Sequence, residues 1–349
     1  MKPKDIVGLL KETVHEWQED KASRLAAALA YYTAFSIAPL IIIAIAIAAL
    51  VFGEEAARGG IDDQLRGLLG SEGAAAVQEM IKSSRQPAEG TIATLLSLVF
   101  LLFGASGVFG QLQDALNTIW EVAPKPGRGI KGFIKDRFLS FAMVAGIGFL
   151  LLVSLLVSTL LAGVGNFLGD KIPGLTFLWG TLNFFISFGV ITLLFALIYK
   201  VLPDVKITWG DVWIGAIITA LLFTLGKSLI GLYLGNSSVG STYGAAGSFV
   251  VFLIWVYYSA QILFFGAEFT QVYANRYGSQ IVPADNAILL TEKARVQQGI
   301  PRTRQLKEAA NKTERNNRKS GNIGAASLNA YSRLARLLGL QNRENNRHR

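Results

Sequence analysis

Cysteine is absent from the 349 residues, and histidine occurs only at His15 and His348. No disulfide, thiolate nucleophile or thiolate metal site can be built. With both histidines near the termini, a histidine metal site or catalytic triad is close to excluded. Charge is scarce as well: Asp, Glu, Lys and Arg make up 16% of the chain, against about 25% in ordinary globular proteins. The charges gather near the two ends and in short breaks between long apolar stretches, while hydrophobic residues reach 52%. Length alone would allow two soluble domains. The charge pattern overrides that expectation and predicts a polytopic, all-α membrane protein with no cofactor and no enzymatic chemistry.

A helix crosses about 30 Å of hydrocarbon with about 20 apolar residues. Six stretches meet that requirement: Leu25–Phe52, Thr91–Trp120, Leu139–Val164, Thr176–Leu202, Val212–Leu234 and Ala246–Ala274. None alternates as a barrel strand does, so each is expected to span as a helix. The first begins after a polar lead and is far longer than a signal-peptide core, so it is expected to be an uncleaved anchor. Cations fix the direction. Lys2, Lys4, Lys11, Lys21 and Arg24 precede the first span, and Lys125, Arg128, Lys131, Lys135 and Arg137 separate the second from the third. Lys200 and Lys206 separate the fourth from the fifth, and the C-terminal stretch is strongly basic. Both termini are therefore expected in the cytoplasm of a bacterial cell, with the protein in its inner membrane.

Three parts follow. Residues 1–23 hold Ile6, Leu10, Val14 and Trp17 on one helical face, as in a helix lying on the inner leaflet. Residues 24–276 form the six-helix domain; its first outer loop, near 53–90, has the spacing of two short amphipathic helices. Residues 277–349 read as a basic, mostly disordered tail attracted to anionic lipid, with a short amphipathic helix near 325–340.

Several polar residues lie where a lipid-facing helix would not carry them. Glu268 in the last span and Asp114 in the second fall at similar depth on the cytoplasmic side, about 12 and 9 Å inward at 1.5 Å per residue. Gln111, Gln113, Asn117, Gln261 and Gln271 surround them in the sequence, with Arg24 as the nearest cation. These residues either brace the bundle as an interfacial ion-pair network or line a cavity open to the cytoplasm. Lys227 lies in the outer half of the fifth span, where it either snorkels to the surface or meets an anionic group. In the first span Tyr31, Tyr32, Thr33 and Ser36 precede Pro39, which removes a helical hydrogen bond. In the second, Gly104, Gly107 and Gly110 recur at intervals of three, a spacing that favours close helix packing. The uncharged loop from Gly235 to Ser248, which contains Tyr243, is expected at the outer mouth.

The segments RLAAALAYYTAFSIAPL, LQDALNTIW and YGAAGSFVVFLIWVYYSAQILFFGAEFTQVYA together resemble the YihY/BrkB family of bacterial inner-membrane proteins, over residues 20–276. The resemblance implies a six-helix bundle in the cytoplasmic membrane, with shared polar positions at Tyr31, Ser36, Pro39, Asn117, Tyr243, Gly244, Gly247 and Glu268. Members are associated with serum resistance and envelope lipid export, and some carry the label ribonuclease BN.

Three functions are then in view. The first is transport or flipping of an amphipathic, lipid-like substrate. The second is a scaffold that docks envelope proteins without transporting anything. The third and weakest is a ribonuclease: helices at membrane depth would keep Asp114 and Glu268 away from a folded RNA, and no specific nucleic-acid partner is expected. Membrane lipids are the expected partners, and the sequence leaves the oligomeric state open.

Overall fold

The structure is a computed structural model that describes residues 3–84, 91–127, 146, 175–236, 246–304, 306, 307 and 311. The expected third span (apart from Gly146), Tyr243 and the stretch near 325–340 lie outside them. Among the described residues the helices are α1 (Pro3–Glu19), α2 (Ala22–Phe52), α3 (Glu54–Ser84), α4 (Thr91–Ile119), α5 (Leu175–Val201), α6 (Trp209–Asn236), α7 (Gly247–Tyr277) and α8 (Glu292–Gln297). Four of them contain stretches long and apolar enough to cross a membrane: Ala22–Leu50, Phe184–Val201, Trp209–Tyr233 and Gly247–Tyr277. These are all-α elements, and the protein is a multi-pass membrane protein.

Residues up to Thr291 form one compact unit and those from Glu292 another. In the first, α2 packs against α3, α4 and α7, while α6 lies between α5 and α7. The main core joins Ala22, Ala26, Leu116, Tyr199, Phe264 and Ala267, all buried. Small residues dominate the α2 contribution, which lets that helix approach its neighbours closely. The α1 helix runs against α7, placing Leu9 on Phe269 and Val272 and pairing Glu12 with Arg276 at 3.0 Å.

Helix α3, which follows α2, is broken at Gly70, whose φ of 74° takes it out of the helix. That backbone conformation suits glycine, which has no Cβ to clash. The two arms of α3 set Ile61, Leu65, Met80 and Ile81 against Ile41 and Ile45 of α2.

Two short antiparallel ladders close the opposite end. Strand β1 (Val122–Pro124) pairs with β4 (Ala287–Leu289), and β2 (Val205–Lys206) pairs with β3 (Val282–Pro283). Residues 278–290, which composition assigns to the start of the tail, thus fold against the ends of α4, α5 and α6. In the second unit, Arg302 pairs with Glu292 at 3.7 Å, and Arg295 is buried.

Candidate functional site

The seam between α2 and α4 is built from small residues and one proline. A Cβ on Gly104 would stand 3.2 Å from the Pro39 ring, and one on Gly107 would stand 3.3 Å from Ser36 Oγ and 3.6 Å from the Tyr32 ring. Glycine at both positions therefore lets the Tyr32–Pro39 part of α2 lie on α4. Ser36, buried, donates a 2.6 Å hydrogen bond to the Gly104 carbonyl. Tyr31, by contrast, is 61% exposed and stacks at an angle on Phe35, itself exposed. Tyr32 is exposed beside it.

On α4 the spacing of Gly107, Gln111 and Asp114 (i, i+4, i+7) puts all three on one stripe. Gln111 is half-buried and Asp114 exposed, whereas Gln113, Ala115, Leu116 and Asn117 on the other faces are buried. The Tyr32 ring overlies Gly107 at one end of this stripe. Asp114, Gln111 and Tyr32 are therefore placed in order along the α2–α4 seam, acid, then amide, then phenol. The Asp114 carboxylate has no ion pair or hydrogen bond with any described residue.

Glu268 has the opposite environment. It is 0% exposed on α7, in a run from Gly266 to Val272 that is buried throughout. Gln271 is buried in the same run. The structure does not bring Glu268 and Asp114 together: one carboxylate is inside the core and the other outside it. Close beside Glu268, α7 meets α6 and α5 through a hydroxyl network. Tyr199 donates to the Leu263 carbonyl at 2.7 Å and lies 3.0 Å from Thr219 Oγ1, which donates to the Gly215 carbonyl at 2.7 Å.

Asn117 belongs to the ladder end. Its Nδ2 donates to Asp204 at 3.1 Å, and its Oδ1 accepts the Asp204 amide at 2.8 Å. Asn286 donates to the other Asp204 oxygen at 2.8 Å. Asp285 pairs with Lys206 at 2.5 Å, and its carbonyl accepts from Lys125 at 2.7 Å. The hydrogen bond and charge of Lys206 hold the Asp285 carboxyl below its usual range, with Lys125 adding to the effect. Asp211 accepts from Thr208 at 2.9 Å and from the amide and hydroxyl of Ser279 at 3.0 and 2.7 Å. Sequence reasoning missed Asp204, Asp211 and Asp285 because most of their partners are remote: Asn117 and Asp204 are 87 residues apart. The local signal was at Asp211, three residues after Thr208 at the start of α6, the spacing of a helix-capping pair.

The remaining candidates stand apart. Arg24 is exposed in the first turn of α2, and Lys227 is exposed on α6 without an ion pair among the described residues. Gln261 is half-buried on α7 beside Tyr258 and Phe265.

Comparison with known proteins matches residues 13–287 to the family model described as virulence factor BrkB. The chain belongs to the BrkB family. BrkB-family relatives include a Pseudomonas aeruginosa protein, 30% identical over 267 residues, covering 75% of this chain and 62% of the relative. A Chromohalobacter salexigens protein is 29% identical over 271 residues, covering 75% of this chain and 62% of the relative. An Acinetobacter baylyi protein is 24% identical over 256 residues, covering 73% and 59%. All three are named only as UPF0761 membrane proteins, and this BrkB-family chain spans about three fifths of their length. No solved structure matches it. The match takes in α2, α4 and α7, so both the seam and the buried Glu268 lie within the family region. It also extends to the ladder residues Asn286 and Ala287.

Proposed function

We propose that this BrkB-family protein moves an amphipathic, lipid-like molecule across the bacterial cytoplasmic membrane, its polar head passing along the α2–α4 seam. The order of exposed Tyr32, half-buried Gln111 and exposed Asp114 along the seam supports the reading. A charged side chain in hydrocarbon costs about 2.5–3.5 kcal/mol even on the most lenient scale. An acid that turns away from its own packed core at membrane depth is therefore best accommodated by water or a polar head. A seam that also carries phenols and aromatic rings offers apolar contact beside the polar line, which suits an amphiphile. In this reading the chain has six spans. The ladder end is cytoplasmic, because Lys125, Lys200 and Lys206 lie there, and both termini are on that side. Glu268 and the Tyr199–Thr219 network hold the bundle rather than touch substrate.

The test is lipid movement in proteoliposomes, followed with head-labelled phospholipids quenched from outside. The wild type is expected to exceed empty vesicles, and Asp114→Asn and Tyr32→Ala are expected to lose most of that excess while keeping the wild-type melting temperature. Wild-type rates equal to those of empty vesicles, across anionic and zwitterionic lipids, would overturn the proposal.

The scaffold reading has one observation of its own: residues 278–290 are hydrogen-bonded to the bundle, so whatever follows Thr291 starts from a fixed point. Under that reading, removing residues from Glu292 onward abolishes function in the cell, and Asp114→Asn does not.

A further inference from the structure

At the end of the bundle away from the ladders, the two arms of α3 and the facing part of α2 enclose a pocket of about 330 Å³. Its floor is apolar, made by Ile41 and Ile45 of α2 with Leu65 and Ile81 of α3. Its rim carries Arg58, Asp62, Gln78 and Lys82. The volume is at the lower end of small-ligand sites, which run from about 300 to 1,000 Å³.

The charges on the rim are not balanced. Asp62 is already satisfied, accepting from Arg66 at 2.9 Å through one oxygen and from Gln78 through the other. Lys82 has no carboxylate partner among the described residues. Among the described residues Arg58 pairs with Glu54 alone, and both side chains are exposed. Such a surface pair contributes little, so a ligand anion can replace Glu54 at small cost. Two cations above an apolar floor thus face an opening at the end of a membrane-spanning helix, where acyl chains give way to head groups.

We propose that this pocket binds an anionic amphiphile with a single acyl chain. The chain lies on Ile41, Ile45 and Ile81, and the carboxylate or phosphate head is held by Arg58 and Lys82. A pocket of about 330 Å³ suits one chain better than two. The site is separate from the α2–α4 seam and holds whether or not the protein transports anything.

The test is equilibrium binding to the full chain in a neutral detergent, by native mass spectrometry, with three probes: a long-chain fatty acid, lysophosphatidylglycerol and lysophosphatidylcholine. Both anionic probes are expected to bind one per chain, and the zwitterionic one about tenfold more weakly. Binding of the fatty acid alone identifies a carboxylate head, and binding of the lysophosphatidylglycerol alone a phosphate head. Arg58→Gln with Lys82→Gln is expected to weaken the anionic probes about tenfold. Ile45→Trp, which fills the floor and leaves the charges in place, should block them. Equal binding of all three probes, or unchanged binding in both variants, would overturn the proposal.

Discussion

A side chain on Gly266 would collide with the hydroxyl of Thr219: its first carbon would overlap Thr219 Oγ1 and stand 2.6 Å from the Tyr199 hydroxyl. One turn further along, Gly215 and Thr270 repeat the relationship in reverse, with glycine on α6 and threonine on α7. A Cβ on Gly215 would overlap Thr270 Oγ1 and stand 2.7 Å from its Cβ. The two helices are thus keyed together on either side of Glu268.

Gly215→Ala is accordingly expected to destabilise the protein by about 1–3 kcal/mol, the usual cost of overfilling a packed site. The same change made in a Thr270→Gly background should cost much less. Melting in detergent of the four members of this cycle checks it. Equal costs in both backgrounds would show that the helices are not held this closely.

Asn117→Ala removes two hydrogen bonds to Asp204 and is expected to cost about 1–3 kcal/mol, because the buried Asp204 amide loses its acceptor. Asn117→Asp should be worse, since it sets a second carboxylate against Asp204. Amide exchange at Asp204 should rise in both variants before the rest of the protein is affected. Unchanged exchange there would contradict the arrangement.

The Asp285–Lys206 pair predicts a pH effect of defined sign. The folded carboxyl is held below its ordinary value, so the pair contributes above the usual carboxylate range, and the contribution is lost as pH falls through the depressed value. Both side chains are exposed, so salt should weaken the effect. In a titration followed by the carboxyl carbon resonance, the Asp285 midpoint should rise in Lys206→Ala. An identical midpoint in wild type and variant would remove the pair from the account.

Ser36→Ala should loosen the α2–α4 seam by about 1 kcal/mol, the typical worth of one hydrogen bond. Gly104→Leu should be far more damaging, because Pro39 occupies the space its side chain needs. The order of the two melting temperatures is the check, and a Gly104→Leu protein as stable as the wild type would contradict the close approach.

These outcomes depend on features that differ in how far the sequence alone reveals them. The helices α2, α5, α6 and α7 coincide with long apolar runs, because a membrane span needs length and apolarity more than any particular partner. Position along each helix was legible for the same reason, since it follows from counting residues back from Arg276 and Trp120. Direction around the helix axis was not. Polar and apolar residues both flank Asp114 in the sequence, and only packing shows that Ala115 and Leu116 turn inward while Asp114 turns out. The ladders were also hidden. Strands of two or three residues are too short to alternate, and β1 meets β4 across more than 160 residues. Asn117, for which the sequence allows either a brace or a cavity wall, is tied to Asp204 by contacts that no local pattern announces.

Because the chain has no cysteine, the seam can be probed with single introduced thiols and no background. Tyr32→Cys, Gln111→Cys and Asp114→Cys, treated in sealed vesicles with a membrane-impermeant maleimide, are expected to label, with Asp114→Cys fastest from the ladder side. Ala267→Cys in the closed core and Leu225→Cys on the outer face of α6 are expected to stay unlabelled. Labelling of the seam positions no faster than at Ala267 and Leu225 would mean that no water reaches the α2–α4 seam, and would contradict a polar route along it.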